Sequence, residues 1–255
     1  MAATAPTLAS GVSAAGRTTP QLSPEQRVAY ERDGYVVVDD VFSADELEKI
    51  DWEIDRLVTV PGNEATNAGR GGWIYDVARK SAITRDFAED PRLLSLVEGV
   101  VYPGLAIHSS KLVTKLPRSH EICHWHQDEA YYRKDEEPAT HSTRRMSVWV
   151  PLQDATLENG CLWVVPGTHA WGIDEWVWQD TGTCQKRITR HEYAEQHAIP
   201  LPVKAGAVVL FTAWTWHHSK HNRTDRVRRA FIVSYQEGTL TRGAGEQWKL
   251  LRPPA

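Results

Sequence analysis

The sequence has few cysteines and no C-x-x-C pair. Its three cysteines, Cys123, Cys161 and Cys184, stand far apart in a chain of 255 residues. This spacing predicts neither a disulfide framework nor a thiolate zinc cluster. Because disulfides persist mainly in oxidising compartments, a reducing, cytoplasmic location is the simpler expectation.

Long apolar runs and an excess of basic charge are also missing. No run of about 18 apolar residues occurs, so the sequence predicts no membrane span. The formal net charge is -4, and 24% of the residues are charged against 41% hydrophobic. These values are typical of a globular protein, and they give no sign of a nucleic-acid surface. The sequence carries no signal for the oligomeric state.

The N-terminal segment differs in composition from the rest of the chain. Residues 1–21 are biased toward Ala, Ser, Thr and Pro and lack the basic and apolar parts of a signal peptide. We therefore predict a disordered tail, followed by a single domain at residues 22–255. The eleven tryptophans are expected to lie mostly in the core of that domain.

Two capping boxes predict helices near the start of the domain. Ser23 with Gln26 opens the first helix and Ser43 with Glu46 opens the second, with the short strand "YVVV" between them. The segment 62–72 holds four glycines and predicts a long loop, a candidate lid.

From residue 105 onward the pattern changes to strand-length runs between turn residues. The runs are "LAIHSSKLVTKL", "RRMSVWVPL", "CLWVVPG", "AVVLFTAWTWHHS" and "RRAFIVSYQEG". They predict an α+β chain, mainly β, whose larger part is a sandwich or jelly roll with helices outside the sheet. The Trp-rich segment 170–200 is poorly periodic and is interpreted as an insertion between strands.

The stretch "HWHQD" at residues 124–128 is a candidate metal site. In an extended chain, residues two apart point to the same side, so His126 and Asp128 converge while Gln127 points away. One imidazole and one carboxylate are two ligands of the 2-His-1-carboxylate triad that binds non-haem Fe(II). The third ligand is then a histidine of "TAWTWHHSKHN", and spacing alone leaves His217 and His218 as alternatives. A polar loop without metal is the competing interpretation.

A family resemblance bears on this choice. The chain resembles the phytanoyl-CoA dioxygenase family of Fe(II)/2-oxoglutarate-dependent oxygenases from about residue 23 to residue 240. The likeness rests on five segments in the family's order. They are "DGYVVVDDVFSADEL", "WHQD", "VWVPLQDATLENGCLWVVPGTH", "AGAVVLF" and "HHSKHNRTDRVRRA".

The resemblance implies a role for particular residues. In the family's last motif, Asn and Arg follow the ligand histidine by five and eleven positions, and Asn222 and Arg228 fit this register only from His217. The implied iron ligands are therefore His126, Asp128 and His217. Arg228 matches the arginine that binds the distal carboxylate of 2-oxoglutarate, as a planar guanidinium suits that role. The resemblance also places Ser147 and Trp149 beside the cosubstrate and Lys111 near the substrate. Trp73 and Tyr75, which follow the candidate lid, and Gln127 are further candidate substrate residues.

The function implied by the resemblance is an Fe(II)/2-oxoglutarate-dependent dioxygenase. Its fold would be a double-stranded β-helix, a cupin-like jelly roll, with flanking N-terminal helices. With O2 as the second cosubstrate, it would oxidise an unactivated C–H bond of a small molecule and release succinate and CO2. Hydroxylation is the expected outcome, with desaturation, epoxidation or cyclisation as alternatives, and the substrate would be a natural-product intermediate or an amino-acid derivative. The rival interpretation is a non-catalytic jelly-roll module that binds a metal or another ligand.

Overall fold

The structure is a computed structural model that describes residues 19–61, 63, 73–133, 141–240 and 249–254. The α-helices are α1 Pro24–Asp33, α2 Ala44–Val58, α3 Ala82–Ala88, α4 Pro91–Glu98, α5 Glu129–Tyr132 and α6 His191–His197. Short 3-10 helices span Val77–Arg79 and Thr168–Trp171. Nearly all of the predicted tail, and the candidate lid at residues 62–72 apart from Asn63, lie outside the described residues.

Within these described ranges, thirteen strands make up the rest of the regular structure. They are β1 Tyr35–Val38, β2 Ile74–Tyr75, β3 Leu105–Lys115, β4 Cys123–His126, β5 Met146–Pro151, β6 Leu162–Val164, β7 Trp176–Trp178, β8 Lys186–Ile188, β9 Ile199–Leu201, β10 Val208–Thr212, β11 His217–Ser219, β12 Arg228–Gln236 and β13 Lys249–Arg252.

The first two helices begin where their capping boxes predict. The Ser23 hydroxyl accepts from the backbone N–H of Gln26, and the Ser43 hydroxyl accepts from that of Glu46. In each case the side chain at the third position also accepts from the backbone N–H of the capping serine. Each box satisfies donors that would otherwise lack partners at a helix start.

Two antiparallel sheets form the main β part of the fold, and β7 and β8 pair as a separate two-stranded sheet. The larger has the order β1-β10-β5-β12-β3-β13, with β2 paired to β3, and the smaller has the order β4-β11-β6-β9. The chain from β3 to β12 passes back and forth between the two sheets, so strands close in sequence often lie in different sheets. This is the topology of a double-stranded β-helix, and the predicted mainly β, α+β class is confirmed.

The core has one layer between the sheets and one behind the larger sheet. Between the sheets, Trp149 and Phe211 of the larger sheet pack with Leu162 and Val164 of the smaller one. Behind the larger sheet, its outer side chains pack against the apolar faces of α2 and α4. On β4 and β11 of the smaller sheet, His126 and His217 are buried polar residues, and they belong to the site described below.

Some expectations need correction. The segment 170–200 is an insertion, but it holds the β7–β8 hairpin and α6, which sequence periodicity did not predict. The tryptophans are not mostly core residues, since Trp52, Trp171, Trp176 and Trp178 are exposed. Within the described part of the chain, none of the helices has the length and apolar character to cross a membrane.

Candidate metal and carboxylate site

The predicted histidines lie on neighbouring strands. β4 and β11 are antiparallel partners in the smaller sheet, and His126 is paired directly with His217. Side chains of direct partners project to the same side of a sheet. The two imidazole centroids are consequently 4.0 Å apart, and both residues are buried.

Backbone carbonyls orient both rings. The Nδ1 atom of His126 lies 2.8 Å from the carbonyl oxygen of His124, and that of His217 lies 2.8 Å from the carbonyl oxygen of Thr215. Because a carbonyl only accepts, each Nδ1 carries the hydrogen and each Nε2 keeps a lone pair. Burial lowers the pKa of His217 to about 3. A neutral imidazole held in a fixed orientation is the form that binds a metal.

Asp128 completes a three-residue cluster immediately after β4. Its Oδ1 lies 3.6 Å from Nε2 of His126, and its Oδ2 lies 4.0 Å from Nε2 of His217. One potential ligand atom from each residue lies within 4.8 Å of the others. Two nitrogens and one carboxylate oxygen, all buried and convergent, suit a 2-His-1-carboxylate metal centre.

Two neighbours hold the Asp128 carboxylate in place. The Ser147 hydroxyl donates to Oδ2 at 2.6 Å, and Nζ of Lys111 lies 3.5 Å from Oδ1. Burial opposes ionisation of Asp128, but the charge of the Lys111 ammonium favours it, and the pKa of Asp128 is well below the usual range. The carboxylate is therefore anionic and fixed in orientation, as a ligand must be.

His218, the alternative to His217, faces the other side of the sheet. Its ring stacks on Trp125 at 4.1 Å, with an angle of 18° between the planes. Adjacent strand residues alternate in direction, so only one of the two histidines can point toward Asp128. In this structure that residue is His217.

Arg228 is buried beside the same cavity. Its Nη2 donates to the carbonyl oxygen of Gly160 at 2.8 Å, whereas its Nε and Nη1 have no hydrogen-bond partner among the described residues. Burial lowers the pKa of Arg228 to about 10, so the side chain remains a cation at neutral pH. A buried guanidinium with unused donors is a strong candidate to bind a carboxylate.

Two connected cavities surround these residues. The inner cavity, about 60 Å³, is lined by the three clustered residues, Arg228 and Trp149, whose ring centre lies 5.6 Å from the guanidinium carbon. The outer cavity, about 260 Å³, includes Tyr75, Tyr131 and Tyr132. Both cavities share Trp73, Lys111, His126, Asp128 and Cys184. A molecule in the outer cavity can therefore reach the space in front of the cluster.

The other predicted site residues fall into two groups. Trp73, Tyr75 and Lys111 line the outer cavity, and Trp149 lines the inner one. Gln127 instead uses its amide inside the protein. Its Nε2 donates to the carbonyl oxygens of Gly172 and Trp214, and its Oε1 accepts from the N–H of Asp174. These bonds give Gln127 a structural role, because they connect the turn after β4 to the insertion at residues 170–200.

The prediction that no disulfide is present is wrong. Cys123 and Cys184, 61 positions apart, form a disulfide, and both line the inner cavity. The pairing arises because the start of β4 forms a bridge with Thr183, which brings Cys184 beside Cys123. Cysteine spacing held no sign of this contact, since the insertion that carries Cys184 was not predicted to reach β4. The inference of a reducing compartment thereby loses its basis.

The fold and the site together define a class of protein. It is a double-stranded β-helix with a buried His-Asp-His cluster at one end and a buried arginine along the same cavity. A profile of the phytanoyl-CoA dioxygenase family matches residues 30–230. The chain therefore belongs to the phytanoyl-CoA dioxygenase family.

Individual relatives agree with this assignment. The ectoine dioxygenase of Sphingopyxis alaskensis is 28% identical over 239 residues, which cover 83% of this chain and 75% of that protein. Phytanoyl-CoA dioxygenase domain-containing protein 1 of Bos taurus is 26% identical, with coverage of 89% and 94%.

Solved structures share the fold. The crystal structure of EctD from S. alaskensis with 2-oxoglutarate and 5-hydroxyectoine has a TM-score of 0.71 at 26% identity, and covers 86% of this chain and 77% of that one. The carbocyclase SnoK from nogalamycin biosynthesis has a TM-score of 0.72 at 24% identity, with 85% of both chains covered. At that identity, the likeness to SnoK shows the fold alone.

Proposed function

We propose that the protein is an Fe(II)/2-oxoglutarate-dependent dioxygenase that hydroxylates a C–H bond of a small molecule. The observation that carries the proposal is the presence, along one cavity, of the His126, Asp128 and His217 cluster and of the buried Arg228 with unused donors. Family membership and the 2-oxoglutarate in the related EctD structure support the same cosubstrate.

In this proposal, each residue has a defined task. His126, Asp128 and His217 would hold the iron, and Ser147 would keep the Asp128 carboxylate oriented. Arg228 would pair with the distal carboxylate of 2-oxoglutarate, and Trp149 would form the apolar wall next to it. When bound, iron(II) supplies the centre at which O2 reacts with 2-oxoglutarate, releasing succinate and CO2 and oxidising the substrate.

The outer cavity is the proposed substrate site. Trp73, Tyr75 and Tyr131 provide aromatic walls, and Lys111 provides a positive charge next to Asp128. At about 260 Å³ the cavity suits a small molecule with a polar or anionic group. The aromatic walls would also exclude water from the reacting atoms.

A non-catalytic zinc-binding module is the contrasting function. Structural zinc has four protein ligands as a rule, but the cluster offers three among the described residues. Cys123 and Cys184 lie near His126, but their sulfurs are joined in the disulfide and cannot ligate as thiolates. The donor set thus favours a centre that leaves coordination positions open.

Anaerobic titration tests the proposal. Iron(II) and 2-oxoglutarate together are expected to give a metal-to-ligand charge-transfer band in the visible, and added O2 should then yield succinate. Replacement of His126 or Asp128 by Ala should remove both signals while leaving the far-UV circular dichroism spectrum unchanged. Absence of the band in the wild type, together with tight zinc binding, would support the binding module instead.

A further inference from the structure

A second buried cation lies next to Arg228. Lys115, the last residue of β3, is the direct cross-strand partner of Arg228 on β12. Only 2% of Lys115 and 1% of Arg228 is exposed. Neither residue lies on the protein surface, although lysine and arginine are among the residues most rarely buried without a partner.

The two side chains converge on one turn. Nη2 of Arg228 donates to the carbonyl oxygen of Gly160, and a Cβ atom added to Gly160 would lie 3.0 Å from Cδ of Lys115. Gly160 has a φ of +81°, which a side chain would strain, and the same Cβ would lie 2.3 Å from the carbonyl oxygen of Lys220. The glycine therefore permits the close approach of Lys115, while its carbonyl oxygen accepts from Arg228.

The positive charge of Lys115 and Arg228 exceeds the negative charge of the groups around them. Nζ of Lys115 donates to the backbone carbonyl oxygen of Glu121 at 3.1 Å. Burial and then the Arg228 charge lower the pKa of Lys115 to about 7, and the Glu121 charge opposes this shift. Lys115 is thus partly neutral at neutral pH, because a second ammonium beside the guanidinium is unfavourable. An anion that pairs with the unused donors of Arg228 would offset the guanidinium charge that disfavours the ammonium of Lys115.

We propose that Lys115 is a second positioning cation for the distal carboxylate of 2-oxoglutarate and that it takes up a proton from solvent when this carboxylate binds. The inference rests on the proposed function, since it takes 2-oxoglutarate to be the anion. A carboxylate paired with Arg228 compensates the charge that disfavours the ammonium of Lys115. The neutral amine then gains one proton, and the anion gains a second nearby positive charge.

The charged and titratable groups around Lys115 indicate which side chain takes up this proton. Arg228 faces it from β12 and Glu121 from the segment before β4. On the side of β11, burial lowers the pKa of His218 to about 3 and lowers that of His221 below its usual value, so both imidazoles are neutral above pH 7.

Two further groups lie nearby. Burial raises the pKa of the Cys161 thiol, which is close to Gly160 in sequence, so this thiol stays protonated through pH 8. Lys220 follows β11 and places its ammonium over the Trp163 ring at 4.2 Å. Among these groups, Lys115 is the one with a pKa of about 7.

Calorimetric titration of 2-oxoglutarate into the anaerobic iron(II)-loaded protein tests the proposal. In buffers of different ionisation enthalpy at pH 7.5, the wild type is expected to take up a substantial fraction of one proton. Affinity for 2-oxoglutarate should fall as the pH rises from 7 to 9, by at most about tenfold per pH unit for one proton. The sign follows because the bound state holds the additional proton.

Variants separate Lys115 from other sources of this effect. Lys115→Met should show no proton uptake and weaker binding at pH 6.5, by roughly tenfold, the equivalent of one pKa unit. Lys115→Arg keeps its charge throughout and should bind without dependence on pH between 7 and 9. Lys49→Met, at an exposed position of α2, is the matched control and should behave as the wild type.

The results that would contradict the role of Lys115 differ from those that would contradict the proposed function. Binding of 2-oxoglutarate to the wild type without proton uptake, or an unchanged affinity and proton uptake in Lys115→Met, would overturn the role of Lys115 and leave the proposed function in place. A wild-type protein that does not bind 2-oxoglutarate would overturn the proposed function, and the inference with it. Absence of proton uptake by the wild type overturns the role of Lys115 even if a variant does not fold.

Discussion

His126 and His217 are direct partners on neighbouring antiparallel strands, and their rings lie 4.0 Å apart over the Asp128 carboxylate. His218, the next residue, points to the opposite side and stacks on Trp125. Which histidine faces the cavity is therefore decided by the alternation of side chains along β11.

This alternation predicts opposite outcomes for two adjacent substitutions. His217→Gln should reduce iron affinity by more than roughly 100-fold, because the loss of a ligand exceeds the 10–100-fold effect of an outer-shell change. His218→Gln should retain the charge-transfer band and succinate formation, since its ring only stacks on Trp125. Iron titration of both variants makes the comparison. Loss of iron binding in His218→Gln with retention in His217→Gln would contradict the assignment.

Substitution of Ser147 tests whether a neighbour that orients Asp128 contributes to iron binding. Its hydroxyl donates to Oδ2 of Asp128 and also lies 3.1 Å from the Ser234 hydroxyl. Ser147→Ala should lower iron affinity by about 10–100-fold, because the carboxylate loses the bond that orients it. Ser234→Ala is the matched control, as it touches the same network without contacting Asp128, and should have a smaller effect. Equal iron affinities in the two variants would argue against an orienting role for Ser147.

Local patterns predicted much of the fold and part of the site. The capping serines Ser23 and Ser43 act within four residues, and the shared direction of His126 and Asp128 follows from two-residue alternation, so both could be inferred from short segments. The register of Asn222, which came from the family resemblance, has one local and one long-range contact behind it. Its amide donates to the carbonyl oxygens of Lys115 and Arg226, which shapes the turn into β12.

Long-range contacts could not be predicted in this way. The β7–β8 hairpin has three exposed residues in succession, Trp176 to Trp178, so it lacks the alternation that marks a half-buried strand. The contact of Cys184 with β4 and the position of Lys115 beside Arg228 depend on how distant segments pair. Such pairing is set by the packing of the whole jelly roll, which no short stretch of sequence encodes.

Arg228 should be sensitive even to a substitution that keeps its charge. Arg228→Lys removes the planar pair of donors, and the apparent KM for 2-oxoglutarate should rise by roughly 10–100-fold, as expected for lost hydrogen bonds to a charged group. Arg226→Lys, at an exposed position two residues earlier, should leave the KM unchanged. Succinate formation against 2-oxoglutarate concentration measures this, with thermal unfolding as a check on folding. An unchanged KM in Arg228→Lys would assign the carboxylate site to another residue.

The Cys123–Cys184 disulfide predicts a specific pattern of thiol reactivity. Alkylation of the protein unfolded without reductant should modify only Cys161, and prior reduction should expose all three cysteines. Because the bond closes a loop of about 60 residues, the double substitution of Cys123 and Cys184 by Ala should lower the free energy of unfolding by about 2–4 kcal/mol relative to the wild type.

The same bond forms part of the inner cavity wall, since Sγ of Cys123 lies 3.7 Å from Nδ1 of His126. Its loss should therefore also weaken iron binding, because the strand that holds His126 is no longer tied to the segment before β8. Cys161→Ala is the control for loss of a buried cysteine and should leave iron affinity unchanged. Alkylation of all three cysteines without reduction would show that the bond is absent, and wild-type iron affinity in the double variant would show that it does not position His126.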